Sequence, residues 1–140
     1  MSNISRRKAR EEAVIILYQV DLLKKNAADI LKDETGYGKK IDSFTDALVL
    51  GVYSNKENID KRIENVVENW SLERIAIVDR NILRIAIYEM LYEDEIPLKV
   101  SVDEAIEIAK EFGQKDDTPK FINGVLGKIL IEIQEEQKKK

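Results

Sequence analysis

The sequence contains no cysteine and no histidine. The first absence removes disulfides and thiolate nucleophiles, the second removes Ser-His-Asp and Cys-His triads, and together they remove the common nitrogen and sulfur ligands of zinc. Catalysis would have to come from carboxylates, lysine, tyrosine or serine. Proline occurs only twice, too seldom for a sheet protein with many tight turns. No apolar run approaches the ~20 residues that span a bilayer, and the N-terminus lacks the apolar stretch of a signal peptide. A cytoplasmic location with no membrane partner is expected.

Charge, by contrast, is abundant. With 140 residues, 44% of them hydrophobic, the chain has the size and apolar content for one domain with a real core. Its 36% charged residues suit long helices with solvated faces, so an all-α fold is expected.

The charge is also unevenly placed. Arg6, Arg7, Lys8 and Arg10 stand in the first ten residues with no acid among them, although the chain has net charge −4. Without these four, 19 of the 23 basic residues remain against 27 acids, a net of −8. Cations at a helix N-terminus oppose the macrodipole, at a cost of about 0.3–1 kcal/mol each. Helical spacing puts Arg6, Arg7 and Arg10 on one flank, where three guanidinium groups would converge on phosphates or bases. A solvated charge run pairing with Glu11 and Glu12 is the alternative, and the helical register favours RNA over it.

Apolar spacing of three and four residues predicts the helices. The first runs from about Asn3 or Ser5 to Lys24 on Ala9, Ala13, Ile16, Leu17, Val20 and Leu23. A shorter one spans Asn26–Glu34, and Gly36–Lys40 reads as a loop that lacks the spacing of a phosphate loop. A third pattern passes through Phe44, Leu48 and Val52, and a fourth through Ile59, Ile63, Val66, Val67 and Trp70, with Ser54–Asn58 as their joint. Ser71 caps a short turn over Leu72–Ile75. Ile77 to Leu91 then forms a helix apolar on most sides, expected to be central. Pro97 breaks it, and Ser101 with Glu104 has the spacing of a capping box for a helix over Val102–Phe112. Thr118 and Pro119 read as N-cap and first residue of the last helix, which carries Ile122, Val125, Leu126, Ile129 and Ile133. About seven helices imply two small sub-bundles, about 1–69 and 70–140.

Lys120 and Phe121 open that last helix off its apolar stripe, where a lysine beside a partly exposed aromatic can stack a base. Packing of Phe121 between sub-bundles is the competing reading. Gly124 and Gly127 cost about 1 kcal/mol each inside a helix, and close helix packing is the preferred reason for them. Glu73, Asp79, Glu89, Asp103 and Glu107 suit exposed helical faces, and no catalytic pair stands out.

Three stretches then carry a resemblance that covers nearly the whole chain. One is Arg7-Lys8-Ala9-Arg10-Glu11 continuing to Leu17-Tyr18-Gln19-Val20-Asp21. Another is Val78-Asp79-Arg80-Asn81-Ile82-Leu83-Arg84-Ile85-Ala86-Ile87-Tyr88-Glu89, followed by Ile96-Pro97 and Ser101-Val102-Asp103-Glu104-Ala105. The most diagnostic is Ala109-Lys110-Glu111-Phe112-Gly113 with Lys120-Phe121-Ile122-Asn123-Gly124-Val125-Leu126. Together they resemble the NusB family of bacterial transcription antitermination factors.

That resemblance implies an all-α fold of two sub-bundles and no catalytic activity or cofactor. It implies binding of boxA-type single-stranded RNA together with NusE, a small-subunit ribosomal protein. Both would be presented to the RNA polymerase antitermination complex to support processive transcription of ribosomal RNA operons. Carried over by position, Arg6, Arg7, Arg10, Glu73, Arg84, Lys120 and Phe121 would contact RNA, and Tyr18, Leu22 and Asp79 would face NusE. Lys8 inside the arginine run and Pro119 before the Lys-Phe pair depart from the family pattern. A helical adaptor that binds protein and no RNA is one alternative. Another is a module related to the N-terminal domain of RNA cytosine methyltransferases, which need a glycine-rich methyl-donor loop and a catalytic cysteine not found here. A homodimer that buries the basic helix is the alternative assembly.

Overall fold

Apolar spacing, capping side chains and two prolines set most of the helix boundaries. In the computed structural model, which describes residues 4–68 and 71–139, α1 spans Arg6–Leu23, α2 Ala27–Gly36, α3 Ser43–Ser54 and α4 Lys56–Val66. A 3-10 turn at Leu72–Arg74 leads into α5 (Ile77–Tyr92), α6 (Leu98–Phe112) and α7 (Thr118–Lys138). No strand occurs among the described residues, in agreement with the all-α expectation. Trp70, placed by periodicity at the end of the fourth pattern, lies outside the described residues. None of the described helices is long and apolar enough to cross a membrane.

The caps explain where the first helices start. The side-chain oxygens of Ser5, Asn26 and Asp42 accept from the backbone N–H of Lys8, Ala28 and Phe44, each satisfying a donor that the first turn leaves free. α1 ends at Lys24, which adopts the left-handed conformation at φ 54°.

Two expected caps are corrected. α6 starts at Leu98 directly after Pro97, a turn earlier than Val102, because proline's fixed φ and missing N–H suit a helix start. Ser101 therefore lies inside the helix, buried, and its hydroxyl donates to Glu89 at 3.1 Å. α7 likewise starts at Thr118 with Asp117 before it, and the Thr118 hydroxyl accepts the Lys115 N–H at 3.1 Å.

α5 is the central helix. It packs against α1, α3, α4, α6 and α7. Ile82, Leu83, Ala86 and Ile87 are almost fully buried within one continuous apolar cluster that runs from Ala13 to Ile133. Full burial of each large aliphatic side chain contributes about 1.5–3 kcal/mol. At Gly51 of α3 a Cβ would overlap the Tyr88 ring of α5, so this close approach requires glycine. Gly124 and Gly127 are different: a Cβ at either meets nothing within 4 Å among the described residues. Close packing against those residues is not their cause.

Candidate nucleic-acid interface

The first turn of α1 contains no acid of its own, and acids from other helices take that role. The Arg7 guanidinium donates to both carboxylate oxygens of Glu104 on α6, at 2.6 and 3.1 Å, while its side chain stays half exposed. That bond holds the Glu104 carboxyl below its ordinary pKa. The stability it contributes is complete above the ordinary carboxylate range and is lost as pH falls through the lowered value. Arg6 is exposed and lies over the Phe44 ring of α3, 3.9 Å from its centroid, a cation–π contact. Lys8 is exposed beside Glu11.

Arg10 does not join them in solvent. It is 4% exposed and forms a bidentate pair with Glu89 of α5 at 2.7 and 2.8 Å, with a longer bond to Glu104 at 3.4 Å. The expected trio of converging guanidinium groups is thus corrected to Arg6 and Arg7. The cause is the width of the buried arc of α1, which packs against α3, α5 and α6 and takes in Val14 one turn after Arg10.

Arg84 is corrected in the same way. It is 2% exposed and donates to Asp60 at 2.8 and 3.0 Å, to Asp21 at 2.7 Å and to Asn81 at 3.1 Å. Its guanidinium ties α5 to α1 and α4 and presents nothing to a ligand.

At the start of α7, Lys120 is exposed and Phe121 is half-buried at the edge of a concavity of about 170 Å³. Arg74, Ile75, Ala76, Asp79, Gln114, Lys115, Asp117 and Thr118 line the rest. Asp79 is 7% exposed; Oδ2 accepts from the Thr118 hydroxyl at 3.5 Å, and Oδ1 has no hydrogen-bond partner among the described residues. Burial pushes its pKa up, against the pull of the Gln114 backbone N–H and the Thr118 hydroxyl. Ionised Asp79 therefore opposes folding, and this cost fades as pH falls through the raised value. Glu73 is exposed on the 3-10 turn beside Arg74.

Next to this concavity lies an apolar groove of about 360 Å³ lined by Val14, Ile15, Tyr18, Val78, Phe112 and Gln114. Leu22, one turn beyond Tyr18, is 52% exposed. Gln114 lines both depressions, and Phe121 lines the first together with a third depression farther along α7. The structure thus joins Tyr18, Asp79, Lys120 and Phe121 in one strip. The outward stripe of α1, through Arg7 and Glu11 to Tyr18, runs beside α6 from Glu104 to Phe112 and carries the strip to the basic end.

Sequence reasoning missed Arg74, Gln114, Lys115 and Glu104. The first three sit in turns without periodicity, and Glu104 was masked by its capping-box spacing. A donor set of fork-shaped cations, an aromatic edge, a buried acceptor and an adjoining apolar groove suits a single-stranded anionic polymer and a protein side by side.

The model of the NusB family matches residues 7–130. Transcription antitermination proteins NusB of Bacillus cereus (strain B4264) and Bacillus thuringiensis (strain Al Hakam) are each 46% identical over 127 residues, covering 90% of this chain and 97% of theirs. Among solved structures, T. maritima NusB aligns with TM-score 0.80 at 37% identity, covering 91% of this chain and 92% of that one. A chain in a complex of antitermination factors NusB and NusE with dsRNA aligns with TM-score 0.75 at 26% identity, covering 89% and 94%.

Proposed function

This chain belongs to the NusB family, and on that premise we propose that it is an RNA-binding transcription antitermination factor. It binds boxA-type RNA together with NusE and supports processive transcription of ribosomal RNA operons in the cytoplasm. It works by assembly, without catalysis. The observation that carries this reading is the continuity of the strip. Arg6 and Arg7 end it on one side, Lys120 and Phe121 on the other, and the Tyr18 groove lies between.

Each part has a physical role. Arg6, Arg7 and Lys120 meet phosphates, and Phe121 stacks a base, which has to be unpaired for that face to be reached. Glu73 and Asp79 offer acceptors to base or partner donors, and Asp79 Oδ1 gains most from one because it is buried with no hydrogen-bond partner among the described residues. The apolar groove with Tyr18 and Leu22 receives NusE. RNA and NusE then touch adjacent surfaces of one protein, so each raises the affinity of the other by the same factor.

Two expected results follow from this arrangement. Measured by calorimetry, a boxA strand binds the protein about fivefold or more tightly in the presence of NusE, and NusE binds more tightly by the same factor with RNA present. Additive binding, or no RNA binding at all, would favour a protein-only adaptor. Glu104→Gln releases Arg7 from a competing carboxylate and is expected to raise RNA affinity about twofold to fivefold. An unchanged or weaker affinity would exclude Arg7 from the RNA contact.

A further inference from the structure

The Arg6 guanidinium is held by a ring and not by an acid. Arg7 and Lys8 have carboxylates beside them, from Glu104 and Glu11. Arg6 forms no ion pair among the described residues, and its guanidinium carbon lies 3.9 Å from the centroid of the Phe44 ring. The guanidinium carbon of Arg10 lies 5.4 Å from the same centroid. One ring therefore serves an exposed arginine and a buried one, four residues apart on α1.

The ring itself is fixed. Phe44 is half-buried against the apolar core in the first turn of α3. Its backbone N–H donates to the capping Asp42 side chain at 2.9 Å, and the hydroxyl of Thr45 donates to the Ala9 carbonyl oxygen of α1 at 2.9 Å. Thr45 is fully buried, so this bond ties the start of α3 to the start of α1. Arg10, held by two hydrogen bonds to Glu89, is a second fixed group beside the ring.

Arg6, by contrast, is long, exposed and first in its helix. Like charges four residues apart repel, and the first turn of a helix disfavours a cation. The negative face of the ring offsets both effects. At 3.9 Å the guanidinium meets the ring by its own face, which leaves its in-plane N–H donors for other partners. An acid in the same place would occupy them, as Glu104 occupies two donors of Arg7.

We propose that Phe44 is a positioning residue for RNA binding, holding the Arg6 guanidinium in place with its donors unused before the strand arrives. The inference rests on the RNA-binding reading above and adds a residue that acts through Arg6. Ordering that a free arginine side chain would undergo on binding is already complete in the fold.

A double-mutant cycle on Phe44 and Arg6 tests this. Affinity for a boxA strand is read by fluorescence anisotropy with NusE present, and thermal melting is followed alongside. Phe44→Leu keeps an apolar side chain against the core and removes the ring. It is expected to weaken RNA binding about threefold to tenfold and to leave the slope of log affinity against log salt unchanged, since no charge is lost. Phe44→Tyr keeps the ring and is expected to bind as the native protein does. Arg6→Ala is expected to make the slope shallower by about 0.7, and in that background Phe44→Leu is expected to have no further effect. Phe44→Met, also without a ring, repeats the measurement should Phe44→Leu melt near the assay temperature.

An equal loss from Phe44→Leu in both backgrounds would mean that the ring acts through the fold or on RNA itself, and would overturn the inference. Phe44→Tyr binding as weakly as Phe44→Leu would overturn it too. Native affinity in Phe44→Leu, with Arg6→Ala still weakened, would sink the inference and leave the RNA-binding reading standing. Native affinity and slope in Arg6→Ala would take Arg6 off the RNA surface, and the inference would fall with that part of the reading.

Discussion

Arg84→Ala is expected to destabilise the protein by about 3–5 kcal/mol or more, the range for breaking a buried ion pair. The guanidinium makes four hydrogen bonds, two to Asp60, one to Asp21 and one to Asn81. Removing it leaves two largely buried carboxylates close together, with Lys56 at 3.8 Å and the Asn81 amide, which donates at 3.0 Å, still beside Asp21. Lysine in its place brings one point charge where a planar fork bridged three side chains, so Arg84→Lys recovers only part of the loss. Urea unfolding followed by circular dichroism reads both variants. Near-native stability with a specific loss of RNA affinity would instead return Arg84 to the binding surface.

Arg10→Ala is expected to cost a similar amount, about 3–5 kcal/mol, because it strands the Glu89 carboxylate, which is 1% exposed. Among the described residues, Ser101 would be its remaining hydrogen-bond donor. RNA binding falls too, through loosening of the α1 turn that carries Arg6 and Arg7. A double replacement separates the two effects. Arg10→Met with Glu89→Leu removes both charges at similar volume and is expected to restore most of the stability, as apolar replacement of buried pairs often does. RNA affinity is expected to return with the fold. If stability returned and RNA affinity stayed at the level of Arg10→Ala, Arg10 would be a direct RNA contact.

These two arginines show where sequence reading stops. Helix periodicity placed α1, α5 and α7 because a buried stripe repeats within a few residues, and local spacing carries that information. The fate of a charged side chain on such a helix depends on partners far away in sequence: Glu89 is 79 residues from Arg10, and Asp21 is 63 from Arg84. Arginine suits both an RNA surface and a buried carboxylate pair, so residue type could not choose. Lys120 and Phe121 were legible because they stand off an otherwise regular apolar stripe. The joining of the Tyr18 groove to the Asp79 concavity through Gln114 was not, since it arises only when the ends of α6 and α7 meet α1 and α5.

The central claim is that the exposed cations at the two ends of the strip bind one RNA strand. It is tested most directly by the salt dependence of boxA RNA binding, in the presence of NusE, for the native protein and for a triple variant with Arg6, Arg7 and Lys120 replaced by alanine. All three side chains are exposed, so the variant is expected to keep its fold. The slope of log affinity against log salt is expected to become shallower by about 0.7 for each lost phosphate contact, or about 2 in all. An unchanged slope and affinity in a folded triple variant would contradict the account.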